Sequence, residues 1–234
     1  SPEEWNDNDV LWPEHMNATE LRHRLNERGY KIFNQEYRCS PVYAENSFFK
    51  AEQLQEVINT ELTTYTIGKE LENQNTVIGG WDLGKKSHPS HVVFFEIVND
   101  RWIMRFQAFL DGWDYTRQLE YIKQLMEHFK ADKIYYDNTR GELESFFEQG
   151  SLPKQFEPVV FSMKTKASMA TEFSKAVEQK AIELIDDQRM IEQILAVTND
   201  LDAQEGPNGH GDSFWSIALC FKHKTNNSFY FAGV

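Results

Sequence analysis

Two strand-like segments that each run into an aspartate constrain this chain more than anything else in it. Thr76-Val77-Ile78-Gly79-Gly80-Trp81-Asp82 reads as one short strand and Lys133-Ile134-Tyr135-Tyr136-Asp137 as another. Between them, His91 to Val98 and Trp102 to Leu110 predict two more strands, with Asn99-Asp100 as a hairpin turn. Leu119, Ile122, Leu125, Met126 and Phe129 then line one face of a helix over 115–130. After Asp137 the pattern alternates. Glu142 to Gln149 reads as helix, Pro158 to Ser162 as a buried strand, and Lys166 to Gln179 as helix. Ala181 to Ile185 reads as strand, Met190 to Val197 as helix, and 212–222 as a final apolar helix. Three antiparallel strands followed by alternating helices and strands define an α/β chain, a mixed sheet with helices on its faces.

Upstream, Asn17-Ala18-Thr19-Glu20 reads as a capping box opening a short helix through Arg28, closed by Gly29. Leu54, Val57, Ile58 and Leu62 recur at helical spacing and predict a second helix over 51–65. The sequence character changes near Asn73-Gln74-Asn75. A linker region is therefore expected over 1–75 and the main domain over 76–234. A length of 234 residues suits one full domain with a smaller appendage. Apolar runs such as His91-Val92-Val93-Phe94-Phe95 are far too short to span a membrane, and the first residues lack the pattern of a secretion signal. With only Cys39 and Cys220, neither a disulfide framework nor a zinc knuckle is available, and free thiols in a reducing compartment are expected.

Asp82 and Asp137 end strands, and Asp212 opens the last helix. Ligands gather at strand ends in an α/β sheet, where side chains project into a crevice. Three carboxylates brought together repel one another and favour a divalent cation between them. Hard oxygen ligands select Mg²⁺ or Mn²⁺, and two such ions about 3.5–4 Å apart would clamp both oxygens of an in-line phosphoryl displacement. Gly79, Gly80 and Gly84, with Gly209 and Gly211, are expected to let a substrate backbone approach. Plainer readings stand beside this one. Asp212 is placed as a helix N-cap would be, and Asp137 before Asn138-Thr139 could start a turn. Asp82-Leu83-Gly84-Lys85 alone also fits the phosphate loop of an actin-like or sugar-kinase fold, which needs a second Gly-rich loop and a longer chain.

The order of the pieces resembles the C-terminal nuclease half of the large terminase subunit of tailed bacteriophages. Ile78-Gly79-Gly80-Trp81-Asp82-Leu83-Gly84 looks like its first acidic motif. Tyr135-Tyr136-Asp137-Asn138-Thr139-Arg140-Gly141-Glu142 looks like the second, and His210-Gly211-Asp212-Ser213-Phe214 like the third. Phe161-Ser162-Met163-Lys164-Thr165-Lys166 resembles the basic stretch between the last two. Leu11-Trp12-Pro13-Glu14 and the run from Gln35 to Pro41 resemble the end of the packaging ATPase domain and its linker.

The resemblance implies an RNase H-like fold, with Asp82, Asp137 and Asp212 as catalytic carboxylates holding two Mg²⁺ or Mn²⁺ ions. It implies an endonuclease that cuts concatemeric viral DNA with little sequence preference. The implied partners are double-stranded viral DNA, the terminase small subunit, the portal protein and the ATPase domain of the same subunit. The implied place of action is the host cytoplasm, at the procapsid portal.

Two departures follow. No Walker A pattern occurs, so a fragment beginning near the end of the ATPase domain is expected. Where some relatives carry a further acidic residue after the first aspartate, this chain reads Lys85-Lys86-Ser87-His88-Pro89-Ser90-His91. His88, Glu142 and His210 are possible auxiliaries. Lys85, Lys86, Arg140, Lys164 and Lys166 are candidates for DNA phosphate contacts, with Lys164 expected to face the crevice best. The net charge of −13 opposes DNA binding at first sight, yet segments 1–75 and 141–234 carry the whole excess and 76–140 is balanced. Two other functions stay open: another RNase H-like nuclease such as a resolvase or transposase, and a catalytically silent module docking on the portal or the ATPase.

Overall fold

The computed structural model describes residues 16–24, 46–65, 71, 75–84, 89–203 and 210–224. Two compact units divide at Glu45/Asn46, whereas the sequence character changes at 73–75. In the first unit, residues 18–24 form a short helix, α1. Asn17 Oδ1 accepts from the Glu20 backbone N–H at 2.9 Å, the capping bond read from the sequence. The expected end of that helix at Arg28-Gly29 lies outside the described residues, as does Cys39.

The second unit contains α2 (Ala51–Gln55), β1 (Ile58–Asn59), β2 (Thr76–Asp82), β3 (Ser90–Val98), β4 (Arg101–Leu110), α3 (Tyr115–His128) and β5 (Lys133–Asp137). There follow α4 (Glu144–Glu148), β6 (Phe156–Val159), α5 (Met163–Glu178), β7 (Ile182–Ile185), α6 (Gln188–Leu195) and α7 (Asp212–Cys220). The seven strands form one mixed sheet in the order β1-β7-β4-β3-β2-β5-β6. β2, β3 and β4 are antiparallel neighbours, and β5, β6, β7 and β1 add in parallel on the two sides. Asn99 and Asp100 both take positive φ, 50° and 63°, which is the backbone a two-residue hairpin demands.

Alternation along β2 assigns its two faces. Val77 and Trp81 join Leu119, Ile122, Leu125 and Met126 of α3 in one core, where Trp81 Nε1 donates to Gln118 Oε1 at 3.2 Å. Trp81 is thus core, as its position beside Asp82 on the opposite face requires. Ile78, Gly80 and Asp82 face the other way, toward α7. On that side Phe173 of α5 meets Phe214 and Phe221 at ring separations of 5.5 and 5.8 Å, and Phe221 meets Trp102 at 4.6 Å.

Four expectations are corrected. The helix predicted over 51–65 stops at Gln55. Ile58–Asn59 instead adds to the open edge of β7, and the Leu184 N–H donates to the Val57 carbonyl at 2.8 Å. An unpaired strand edge overrode the helical spacing of the apolar residues. The strand predicted over 158–162 ends at Val159, leaving Val160 61% exposed. Ser162 is drawn into a reciprocal cap with Thr165, so α5 starts at Met163, not Lys166. Glu142 precedes α4 rather than opening it. Among the described residues no helix is long and apolar enough to cross a membrane.

Candidate active site

β2 and β5 run parallel with Trp81 opposite Tyr136, so Asp82 and Asp137 are the next pair outward. Neighbouring strands lie about 4.8 Å apart, which sets the two aspartates side by side on the α7 face at one end of the sheet. α7 brings Asp212 to them by a matching of repeats. A Cβ on Gly80 would stand 1.9 Å from the Ser216 carbonyl oxygen, and Cys220 Sγ reaches the Ile78 carbonyl at 4.0 Å. Two strand residues advance about 6.6 Å and four helix residues about 6 Å. Ile78, Gly80 and Asp82 therefore step against Cys220, Ser216 and Asp212, with α7 running opposite to β2. Gly80 admits the helix and not a substrate backbone. Gly79 is likewise filled, its absent Cβ lying 2.8 Å from Phe94 and 3.0 Å from Ile134. The glycine role expected from the sequence is corrected at both positions.

The first turn of α7 is pinned independently. Gln193 Oε1 of α6 accepts from both the backbone N–H and the hydroxyl of Ser213, at 2.8 and 2.9 Å. Gly211 holds φ 82°, where a Cβ would meet Val197 at 2.7 Å. The His210 backbone N–H donates to Asp212 Oδ2 at 3.3 Å, so this histidine orients the aspartate through its main chain. Asp212 lies in the first helical turn, where a negative charge complements the helix dipole.

Asp82 is 7% exposed and its carboxylate accepts no hydrogen bond among the described residues. Burial drives its pKa well above the ordinary value, and the nearby charges of Asp212, Asp137 and Glu142 push the same way, with Lys166 opposing them. Asp137 is also raised, mainly by burial, but Thr139 counters this by donating to its Oδ1 from the backbone N–H, at 2.8 Å, and from the hydroxyl. Starting a turn and standing in the site are thus compatible for Asp137. Among the described residues, no three His, Cys, Asp or Glu side chains form a ready-made ion cage.

The candidate cations separate clearly. Lys166 Nζ lies 4.6 Å from the Trp215 ring centroid, 5.9 Å from that of Phe161 and 3.4 Å from the Leu201 carbonyl, and its charge reaches Asp82. Lys164, expected to face the crevice best, is exposed on the first turn of α5 instead. The displaced start of α5 is the reason. Arg140 is exposed and acts on Asp137. Lys85, Lys86, His88 and Gly209 lie outside the described residues.

Three participants escaped sequence reading. His91, opposite Asp82 on β3, is fully buried, with Nδ1 2.6 Å from Ser216 Oγ and Nε2 3.0 Å from Gln107 Oε1. Burial lowers its pKa to about 4. Arg189 makes a bidentate pair with Asp111, at 2.7 and 2.8 Å, and stacks on Phe109. Thr139 is the third. Strand pairing level with Asp82 could have signalled His91, and the turn read at Asp137-Asn138-Thr139 could have signalled Thr139; no local pattern signals Arg189.

No protein-family model matches this chain, and no curated protein matches it. Solved structures do. The large terminase nuclease of thermophilic phage G20c with bound magnesium has a TM-score of 0.59 at 17% identity, over 76% of this chain and 98% of that one. The fold is that of the large-terminase nucleases. The nuclease domain of Thermus phage P74-26 large terminase gives 0.59 at 18% identity, covering 75% of this chain and 94% of that one. The manganese-bound large terminase nuclease domain of bacteriophage SPP1 gives 0.50 at 11%, covering 72% and 97%. The terminase-nuclease fold is the RNase H-like mixed α/β sheet expected from the sequence.

Proposed function

We propose that this chain is a divalent-metal-dependent endodeoxyribonuclease of a viral DNA-packaging terminase, cutting concatemeric duplex DNA with little sequence preference. The observation that carries the reading is the convergence of Asp82, Asp137 and Asp212 from β2, β5 and α7, with the buried Asp82 carboxylate left without a hydrogen bond among the described residues. Its fold neighbours are nucleases solved with magnesium and with manganese.

The donor set fits hard divalent cations. A buried carboxylate raised by like charges is relieved by a cation, and Mg²⁺ is ordinarily held by one or two carboxylates completed by water and substrate phosphate. The lack of a three-residue cage is compatible with that mode of binding. Asp82, Asp137 and Asp212 would hold two ions, and Glu142 adds negative charge to the same region. Bound ions would activate water and stabilise the departing 3′ oxygen. Lys166, fixed over Trp215, would meet a strand phosphate, with Arg140 contributing from the exposed rim. Lys85, Lys86, His88 and His210 remain assigned to the DNA and auxiliary roles expected of them. The small subunit, the portal and the ATPase domain are the proposed partners, and the host cytoplasm at the portal the proposed place of action.

The test is cleavage of supercoiled plasmid in Mn²⁺ or Mg²⁺, expected to vanish in EDTA and in Asp82→Ala. Full cutting in EDTA would sink the reading. No cutting together with a melting temperature unmoved by millimolar Mn²⁺ would favour a silent docking module. The acid excess leads to weak, strongly salt-dependent DNA affinity for the isolated chain.

A further inference from the structure

Thr139 sits at the junction of two parts of the site that the sequence keeps apart. Toward β5, its backbone N–H and its hydroxyl both donate to Oδ1 of Asp137. Toward the β6–α5 connection, the same hydroxyl oxygen accepts the Phe161 backbone N–H at 2.9 Å. A hydroxyl has one proton to give and lone pairs to receive, so these roles are compatible, and they fix the direction of the proton: from Thr139 to the carboxylate. The register continues the link, since the Asn138 N–H donates at 2.9 Å to the carbonyl of Val159, two residues before Phe161. Phe161 in turn packs on Trp215 at 5.3 Å, and both rings lie under the Lys166 ammonium. One threonine thus ties a carboxylate at the end of β5 to the segment carrying the aromatic seat of the lysine.

We propose that Thr139 is a positioning residue for the metal site: it saturates Oδ1 of Asp137, sets that carboxylate with Oδ2 available to a cation, and holds the Phe161 arm in register with it. The proposal rests on the reading of Asp137 as a metal ligand. Donors behind a ligand carboxylate restrict its rotation and tune its basicity, and losing such a partner typically weakens metal binding about 10–100-fold. Alternatives within the residue are few. Valine keeps the shape and removes the hydroxyl. Serine keeps the hydroxyl and removes the methyl.

The experiment compares the full chain with Thr139→Val, Thr139→Ser and Asp137→Asn. Bound Mn²⁺ is measured by the loss of the free-ion paramagnetic resonance signal, and the melting temperature in EDTA reports on the fold. Thr139→Val is expected to weaken Mn²⁺ binding about 10-fold or more, Thr139→Ser to stay close to the unaltered chain, and Asp137→Asn to lose the site. The concentration of Mn²⁺ giving half-maximal plasmid nicking should shift in the same order. Thr139→Val binding Mn²⁺ as tightly as the unaltered chain would overturn the proposal. So would Thr139→Ser binding as weakly as Thr139→Val, because the hydroxyl would then not be the cause. If Asp137→Asn also leaves Mn²⁺ binding unchanged, it is the metal-site reading that fails, an outcome separable from failure at Thr139 alone.

Discussion

Asp82 and Asp137 end adjacent parallel strands, yet the chain treats them oppositely. Asp82 is buried beneath α7 with no donor to its carboxylate among the described residues, and it stands among like charges. Asp137 is half-buried, and Thr139 satisfies one of its oxygens twice. One carboxylate is left electrostatically unrelieved, and the other is oriented in advance. The difference follows from what covers each strand end. A helix packed on Gly80 covers most of Asp82, whereas β5 runs into an open turn whose own residues can bond back to Asp137. Under the proposed metal-binding function, the need for a cation would lie mainly at Asp82.

The largest expected effect tests that imbalance. Asp82→Asn should abolish plasmid nicking, a loss of at least about 10³-fold, while raising the melting temperature in EDTA, because a buried unrelieved charge is removed. Asp137→Asn should also lose cutting but gain less stability, since Thr139 already offsets part of the cost. Equal stabilisation by the two variants would erase the distinction. Next comes Gly80→Ala. It sets a methyl against the Ser216 carbonyl and must lift α7, taking Asp212 from Asp82 while leaving the Asp137–Thr139 pair alone. A destabilisation of about 3 kcal/mol in urea unfolding is expected. A loss under about 1 kcal/mol would mean that α7 is not seated on Gly80.

His91 gives a smaller, pH-dependent effect beside Asp82. Its folded pKa, about 4, lies below the ordinary 6.5, so the unfolded chain takes up the proton first as pH falls. The stability involved is present above 6.5 and is lost on the way down to about 4. Between pH 7 and 5 this amounts to about 2 kcal/mol. Asp82, with its pKa raised, acts in the reverse sense: its contribution favours the folded state at low pH and disappears as pH rises through its folded pKa. Urea unfolding at both pH values should therefore show His91→Gln losing less stability on acidification than the unaltered chain. An identical loss would remove His91 from the account.

The sheet was largely legible because alternation and hairpin chemistry are local. Thr76–Asp82, Lys133–Asp137 and the Asn99-Asp100 turn all depend on neighbours within a few residues. The failures came where a distant partner decided. Ile58–Asn59 became strand because β7, more than a hundred residues later, offered an edge. Glycines at 79 and 80 were assigned to a substrate when they serve packing, which no local pattern distinguishes. Lys164 and Lys166 exchanged places because the Ser162–Thr165 cap starts α5 three residues before the expected first helical position, Lys166. A shift of two residues along a helix turns a side chain by about 200°, enough to exchange the crevice for solvent.

That exchange leads to the smallest effects, and they return to the two carboxylates. Lys166 is half-buried, seated on Trp215, and acts on Asp82; Arg140 is exposed and acts on Asp137. A charge held against an aromatic ring away from bulk water interacts more strongly than one on a solvated rim, where screening and side-chain entropy consume most of the attraction. Lys166→Met should lower cutting about 10-fold or more and Arg140→Met no more than about 3-fold. The gap between them should narrow as salt is lowered, because only the exposed arginine gains from weaker screening. Measured side by side at two ionic strengths, equal losses would mean that both lysine and arginine act as solvated phosphate contacts. The buried half of the site would then have no cation of its own, and Asp82 would depend on metal alone for relief.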